Sequence, residues 1–322
     1  MSDKILVGDV GGTNVRFAVA SKQKDGCLGI EDYIKLRGDD YPSFDEALLA
    51  YLTQSDVRIK RACFALAGPV SHGEVLLTNR RWHVSEAQLQ DRLNLKDVCL
   101  INDFQAMARS VPEHNASAFE IILDGTPEPG KPIIVTGPGT GLGVATLLPA
   151  GGTDWRVLTG EGGHAAYAPG DKLEFELAGI LLREYGYVSN ELVASGMGLE
   201  CIHKAFCEIF DRPYEQVSPQ LMREKADAGD EMYDRLIAVR ANTVMGSAGD
   251  LVLANGALGG VVLAGGVTER IVDYLCRPEA IARFRERGPL SRYLETCPIR
   301  LMHDPEAPLV GAAAFYMQEK AT

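Results

Sequence analysis

The stretch that decides the fold is KILVGDVGGTNVRFAVA, residues 4–20, where an apolar run enters a glycine-rich turn and leaves it as a second apolar run. Two such runs joined by Gly-Gly are typical of a β-hairpin. The stretch KPIIVTGPGTGLGVATLL, residues 131–148, repeats the order of strand, glycine-rich turn and strand. The sequence therefore predicts two similar halves, and two halves facing each other would place the two turns across a cleft.

Strands and helices alternate around these two hairpins. Apolar runs predict further strands at 32–36, 61–67, 98–101 and 260–264. Apolar residues at helical spacing predict a helix after Ser43, which is a candidate N-cap with Glu46 at the capping-box position. Other helices are predicted at 85–93, 173–185, 190–193, 198–210, 219–228, about 230–253 and 309–318. This order indicates an α/β fold with mixed sheets.

Size and composition limit the class of protein. The 322 residues suit two domains, and the net charge of -12 argues against a surface for nucleic acid or for an anionic membrane. The first residues lack the apolar run and cleavage site of a signal peptide, and no stretch approaches 18 uninterrupted apolar residues. The seven cysteines include no C-x-x-C pair. We therefore expect a cytoplasmic protein without a zinc site.

Three glycine-rich segments are candidates for nucleotide contacts, because backbone amides can approach phosphate where no Cβ intervenes. GDVGGTN (8–14) adds Asp9, a carboxylate able to hold Mg²⁺ directly or through water, although a plain hairpin remains an alternative. GPGTGLG (137–143) matches neither a Walker A loop nor a dinucleotide turn, which leaves a second phosphate-contacting hairpin. Gly265 and Gly266 follow the strand GVVLA and could admit an adenine ring, or could simply end the strand.

Polar residues that could act on a hydroxyl substrate follow other strands and turns. Asp103 comes after the apolar run VCLI, at a strand's carboxyl end, where it could take a proton or could instead cap the next helix. Glu161 and His164 lie in GEGGH, whose glycines disfavour a regular helix, so a turn could present both side chains to vicinal hydroxyls or be an ordinary surface loop. By local evidence Glu191 is an ordinary exposed glutamate.

Taken together, these segments resemble the bacterial glucokinases of the hexokinase–actin ATPase superfamily, in the group without a zinc site. The resemblance covers nearly the whole chain and is carried by GDVGGTN (8–14), LTNRRW (77–82), INDF (101–104), GPGTGLG (137–143), GEGGH (160–164), SNELVASG (189–196), LAGG (263–266) and HDPEAPLVGAAA (303–314). It implies an actin-like ATPase (ribonuclease H-like) fold with an interdomain cleft. It also implies a small domain at 1–112 plus about 304–322, a large domain at about 113–303, and a homodimer.

The resemblance further implies a role for each matching residue. Asp103 would be the base that removes the proton of the glucose 6-hydroxyl, with ATP as phosphoryl donor and Mg²⁺ as metal. Predicted sugar contacts are Asn102, Asp103, Glu161, His164 and Glu191. Predicted ATP contacts are Gly8, Asp9, Val10, Gly11, Gly12, Thr13, Thr140, Gly141, Gly265 and Gly266, with Asp9 near Mg²⁺ through water.

Two alternatives to a glucokinase remain at this point. A kinase for another hexose, such as fructose or mannose, would use the same hydroxyl-binding residues. A sugar-binding regulator or a structural ATPase could share the fold, because a fold does not fix a function. A regulator would need a DNA-binding element, and we find no basic helix-turn-helix segment in the sequence.

Overall fold

The computed structural model describes residues 4–12, 14–24, 26–56, 58–77, 80–152 and 154–321. It divides into unit 1, formed by Met1–Ala118, Pro149–Thr159 and Asp304–Thr322, and unit 2, formed by Phe119–Leu148 and Gly160–His303. The predicted boundaries assign residues 149–159 to the large domain, whereas these residues group with unit 1. Two hydrogen bonds tie this segment to the C-terminal helix: the amide of Trp155 donates to the Gln318 Oε1 at 3.4 Å, and the Gln318 Nε2 donates to the carbonyl of Trp155 at 2.8 Å.

The elements are numbered in chain order. The strands are β1 (Ile5–Val10), β2 (Asn14–Lys22), β3 (Leu28–Arg37), β4 (Arg61–Leu66), β5 (Glu74–Leu77), β6 (Trp82–Ser85), β7 (Asp97–Asn102), β8 (Phe119–Leu123), β9 (Ile133–Pro138), β10 (Leu142–Gly151), β11 (Asp154–Gly160), β12 (Val261–Leu263) and β13 (Ile299–Met302). The helices are α1 (Phe44–Ser55), α2 (Glu86–Leu93), α3 (Asp103–Ser110), α4 (Lys172–Tyr185), α5 (Asn190–Ala194), α6 (Leu199–Ile209), α7 (Pro219–Asp227), α8 (Glu231–Asn255), α9 (Gly266–Arg270), α10 (Val272–Leu275), α11 (Pro278–Arg285) and α12 (Ala307–Ala321).

The main sheet of unit 1 has five strands in the order β3-β2-β1-β4-β7. β1 pairs antiparallel with β2 and parallel with β4, and β4 pairs parallel with β7, so the predicted mixed sheet is confirmed. In register, Val10 lies beside Leu66, and Leu66 lies beside Asn102. The carboxyl ends of β1, β4 and β7 therefore meet at one edge, which is where open α/β sheets bind ligands.

Unit 1 buries both faces of this sheet. On one face the rings of Phe44 and Phe64 meet edge to face at 5.1 Å, and the Ser43 hydroxyl caps α1 by accepting from the amide of Glu46 at 3.2 Å. On the other face α12 packs against β1 and α3, with Leu309 fully buried. The predicted terminal helix is thus confirmed. It packs against α3 and so helps to fix its position.

The sheet of unit 2 has six strands in the order β11-β10-β9-β12-β13-β8. β9 pairs antiparallel with β10 and parallel with β12, and β12 pairs parallel with β13. This is the arrangement of unit 1, where a three-strand meander is followed by two parallel strands. The repetition predicted from the two hairpin sequences is therefore confirmed in the topology.

The long helix α8 forms the centre of unit 2. Its N-cap is Asp230, whose side chain accepts from the amide of Met232 at 3.0 Å, and it ends at Gly256, which has the left-handed conformation. Among the described residues it is the only helix with the length and apolar content to cross a membrane, but 72% of that window is buried inside the protein. α8 is therefore a core helix of unit 2.

Candidate active site

The glycine turn of unit 1 joins β1 to β2. Gly11 and Gly12 are partly exposed in this turn, and the amide of Gly11 closes it with a hydrogen bond across the hairpin at 3.1 Å. Gly8 and Val10 are buried inside β1. Thr13, which was also predicted to contact phosphate, lies outside the described residues. The accessible backbone of this turn in the described chain is therefore that of Gly11 and Gly12.

Asn102 lies where β7 passes into α3. Its side-chain oxygen accepts from the amides of Phe104 at 2.9 Å and Gln105 at 3.2 Å, and its Nδ2 donates to the carbonyl of Gly68 at 3.1 Å. Asn102 is therefore the N-cap of α3. This corrects the local alternative in which Asp103 was the cap.

Asp103 is the first residue of α3 and is partly exposed. Its Oδ1 accepts from the amide of Phe104 at 2.9 Å. The N-terminal end of a helix carries partial positive charge, which stabilises an ionised carboxylate. An ionised and accessible carboxylate can take the proton of a bound hydroxyl, so the local geometry is compatible with a general base.

Asp9 lies opposite Arg16 in the β1–β2 hairpin, with its Oδ2 2.7 Å from the Arg16 Nη1. Burial raises the pKa of Asp9, and the charge and hydrogen bond of Arg16 offset part of that rise. The described residues contain no cluster of three or more metal-ligating side chains. A lone oriented carboxylate nevertheless fits Mg²⁺, because this ion keeps several waters and binds proteins through one or two carboxylates plus substrate phosphates.

The second glycine turn, between β9 and β10, is held by the residues that follow α5. The amide of Gly196 donates to the carbonyl of Gly139 at 2.9 Å. The amide of Met197 donates to the carbonyl of Thr140 at 3.1 Å, and Thr140 itself is exposed. The end of α5 therefore sets the position of this turn.

Glu191 connects that turn to the histidine of the GEGGH segment. Its Oε2 accepts from the amide of Leu142 at 2.7 Å, and its Oε1 lies 3.4 Å from the Nε2 of His164. A Cβ at position 141 would be 2.6 Å from the Glu191 Oε2, so Gly141 permits this approach. Only 18% of the Glu191 side chain is exposed, so its interpretation as an ordinary surface glutamate is wrong.

Glu161 and His164 lie at the two ends of one 3-10 turn, and both are exposed. The prediction that the GEGGH glycines prevent a regular α-helix is confirmed. The carbonyl of His164 accepts from the Tyr187 hydroxyl at 2.8 Å, which ties the turn to the segment leading into α5. His164, Glu161 and Glu191 thus belong to one local arrangement in unit 2.

Gly265 and Gly266 form the passage from β12 to α9. The φ of Gly265 is +100°, and a Cβ there would be 2.7 Å from the carbonyl oxygen of Pro138, so glycine is required. Beyond these glycines a cavity of about 650 Å³ opens in unit 2. We call it the α8 pocket; its lining includes Leu199, Met222, Leu236, Ile237, Arg240 and Val267. This volume is typical of small-molecule sites.

Three arginines at these positions were not predicted from the sequence. Arg16 pairs with Asp9. The two residues lie opposite each other in the β1–β2 hairpin, so the hairpin register predicted from the sequence could have revealed this ion pair. Arg80 donates to the carbonyl of Gly12 at 2.9 Å and to the Asp39 carboxylate at 2.8 Å, so it holds the first glycine turn. Arg240 lies in the α8 pocket.

Comparison with known proteins identifies the family of the chain. A family model described as Glucokinase matches residues 6–319. A glucokinase of Tolumonas auensis is 34% identical over 320 residues, which are 99% of this chain and 98% of that protein. The crystal structure of a glucokinase from an Antarctic psychrotroph superimposes with a TM-score of 0.86 at 33% identity, covering 99% of this chain and 100% of the other.

More distant structures share the fold. A ROK family glucokinase from Streptomyces griseus, solved in complex with glucose and AMPPNP, superimposes with a TM-score of 0.67 at 19% identity, covering 98% of this chain and 99% of the other. The mixed sheets and their order are those of the actin-like ATPase fold. On the family match across almost its full length, the chain belongs to the glucokinase family.

Proposed function

We propose that this chain transfers the γ-phosphoryl group of MgATP to the 6-hydroxyl of D-glucose, giving glucose 6-phosphate and ADP. As a member of the glucokinase family, the chain is an ATP-dependent hexose kinase. The observation that carries the proposal is the position of Asp103, which follows β7 at the same sheet edge as the glycine turn after β1. A base and a phosphate-contacting turn at one edge suit phosphoryl transfer to a hydroxyl.

The transfer is direct. Asp103 accepts the proton of the 6-hydroxyl while the hydroxyl oxygen bonds to the γ-phosphorus. The bond from that phosphorus to the β–γ bridging oxygen breaks, and ADP leaves with its electron pair. Because such transition states are loose, most of the catalysis comes from positioning and from charge stabilisation.

The sugar hydroxyls are bound by side chains that can both accept and donate. The Nδ2 of Asn102 carries a second hydrogen besides the one given to Gly68, and this hydrogen is available to the sugar. The Glu161 carboxylate accepts from hydroxyls in the exposed GEGGH turn. His164 and Glu191, 3.4 Å apart, together offer a donor and an acceptor to neighbouring hydroxyls.

The nucleotide is bound by the glycine segments. The phosphates contact the backbone of Gly11 and Gly12 and that of the Thr140–Gly141 turn, and the adenosine lies at Gly265–Gly266, next to the α8 pocket. Asp9 would hold Mg²⁺ through a water molecule, and the ion when bound neutralises charge on the phosphates. We place the reaction in the cytoplasm, where thiols stay reduced, because the seven cysteines, all of them among the described residues, form no disulfide.

The enzyme forms a homodimer through the outer face of α4. Phe175, Gly179 and Leu182 recur at helical spacing on that face, and Phe175 and Leu182 are 65% and 56% exposed. Tyr187, beyond the helix, is 55% exposed. We call Phe175, Gly179 and Leu182 the α4 stripe. A Cβ at Gly179 would meet no atom within 4 Å, so the middle of the α4 stripe has room for a side chain of a partner. An antiparallel second copy can seat its own Phe175 there.

Area and charge also favour a second copy as the partner of this stripe. With Tyr185, the exposed large side chains offer on the order of 400 Å² per copy, about half of the ~800 Å² that each partner contributes to a standard interface. Lys172, Glu176, Arg183 and Glu184 flank the stripe with two charges of each sign. A chain with net charge -12 can therefore pair with itself here without like-charge repulsion.

A panel of hexoses tests the reaction. ADP release is followed by a coupled assay with ATP and glucose, fructose, mannose or no sugar. We expect kcat/KM for glucose to exceed that for the other sugars by at least ~10-fold, because a site built for one set of hydroxyls leaves polar groups unpaired with another. A higher value for fructose or mannose would indicate the alternative hexose kinase. Hydrolysis of ATP at the same rate without sugar would contradict the proposal.

A further inference from the structure

Arg240 is a buried cation in the wall of the α8 pocket. It is 6% exposed, and burial lowers the pKa of its guanidinium to about 10, so it stays protonated at neutral pH. Its Nη2 donates to the carbonyls of Ala194 at 3.0 Å and Ser195 at 3.1 Å. Within the described ranges it forms no ion pair with a carboxylate, unlike Arg223 of the same pocket, which pairs with Asp227 and Asp273.

A buried guanidinium without a carboxylate is costly, because its desolvation is only partly compensated. The carbonyls at the end of α5 supply some negative potential, since a helix C-terminus carries partial negative charge. A ligand that fills the apolar part of the α8 pocket and brings phosphates to its edge would supply the missing anion. A nucleotide has this combination of a flat apolar base and an anionic tail.

The other contacts of α5 lead to the sugar-binding residues. Ala194 is the last residue of α5, and Glu191 lies three positions before it. Glu191 contacts both His164 and the amide of Leu142, and the chain just after α5 holds the carbonyl of Gly139 through Gly196. The nucleotide pocket and the sugar-binding carboxylate are therefore joined by one short helix whose end is fixed by Arg240.

We propose that Arg240 is a positioning residue that couples nucleotide binding in the α8 pocket to glucose binding at Glu191, acting through α5. The inference rests on the proposed binding of ATP and glucose. A bound nucleotide covers the part of the Arg240 guanidinium that lines the α8 pocket and excludes water from it. The guanidinium is then held against the carbonyls of Ala194 and Ser195. The end of α5 is then fixed, and Glu191 keeps its orientation towards His164.

The test is a pair of glucose titrations followed by calorimetry, without and with saturating AMPPNP and Mg²⁺. We expect the nucleotide to tighten glucose binding to the wild type by at least ~5-fold, the lower end of common coupling factors. In Arg240→Met this factor should fall to within about 2-fold of unity. Arg223→Met is the matched control: it removes an arginine from the same pocket without touching α5, so it should change nucleotide affinity and leave the coupling factor unchanged.

Several outcomes would overturn the inference. If Arg240 only capped α5, Arg240→Met would lower the melting temperature and weaken both ligands, but the coupling factor would stay at its wild-type value. Absence of coupling in a wild type that still phosphorylates glucose would also sink it, and would leave the proposed reaction standing. Should Arg240→Met fail to fold, Arg240→Lys serves instead: it keeps the charge but loses the planar fork, and an undiminished coupling factor in that variant counts against the inference.

Discussion

Asn102 and Asp103 are neighbours in sequence, and their side chains have different tasks. The Oδ1 of Asn102 accepts hydrogen bonds from two backbone amides, and its Nδ2 donates one to the carbonyl of Gly68. Asn102 therefore fixes the start of α3. Asp103 is thereby relieved of capping and lies in the first turn, where the helix dipole favours its ionised form. The chemistry of the proposed base depends on the residue before it.

Replacement of Asp103 tests this division. Asp103→Ala removes the proton acceptor and leaves the Asn102 cap, so we expect kcat to fall ~10²–10⁴-fold while the Kd for glucose changes little. The comparison variant is Ser43→Ala, which removes the cap of α1 in the same unit and should cost only ~1 kcal/mol of stability. Turnover measured in the ADP-release assay decides: a near-native kcat for Asp103→Ala would leave Asp103 without a catalytic role.

Residue positions could be predicted where they depend on local register. Asp103 follows a short apolar strand, and Arg16 lies opposite Asp9 in a tight hairpin, so both positions can be read from a few neighbouring residues. Arg240 could not be found in this way. It lies inside a long helix, and its partner carbonyls are 45 and 46 residues away in the chain.

At the scale of elements, the short helix α5 contacts both His164, through Glu191, and Arg240, through the carbonyl of Ala194. Its five residues carry Glu191, and its N-cap is Ser189, whose hydroxyl accepts from the amide of Leu192 at 3.1 Å. A helix this short has little stability of its own and depends on its caps and on tertiary contacts. Its end at Ala194 is held by Arg240.

Loss of the N-cap of α5 should therefore raise the KM for glucose more than loss of the N-cap of another helix. We expect Ser189→Ala to raise the KM for glucose about 5-fold, which corresponds to the ~1 kcal/mol that an N-cap contributes. Ser218→Ala removes the cap of α7, where the hydroxyl accepts from Leu221 at 3.2 Å, and should lower the melting temperature similarly with KM unchanged. Equal KM values in the two variants would show that α5 does not depend on its cap.

Elements with strong apolar patterns were predicted from the sequence, whereas several four-residue strands and both edge strands of unit 2 were not. The strands of both glycine hairpins, α8 and α12 match their predictions. The strands β5, β6 and β13 have four residues each, and β8 and β11 are edge strands with mostly exposed or half-buried side chains. The four-residue strands are too short, and the edge strands too exposed, to leave a clear periodic pattern in the sequence.

At the scale of the whole chain, the proposed dimer is tested on the α4 stripe. Phe175→Glu and Leu182→Glu each place a carboxylate in the self-paired face, and we expect the dimer to weaken at least ~30-fold, as for a buried hot spot. Leu290→Glu is the matched control, since Leu290 is also 56% exposed but lies outside the stripe. Sedimentation velocity gives the oligomeric state. If both α4 variants remain dimeric, the dimer interface lies elsewhere.

The repeated topology of the two sheets has a consequence for the history of the chain. Asp9 and Thr136 each stand five positions after a lysine that opens the hairpin sequence. The Thr136 hydroxyl donates to the carbonyl of Gly143 at 2.8 Å, whereas Asp9 is paired with Arg16. A duplicated hairpin unit would leave such a common order of strands in both sheets. The two matching positions now differ chemically, because Asp9 is charged and paired with Arg16 whereas Thr136 is neutral.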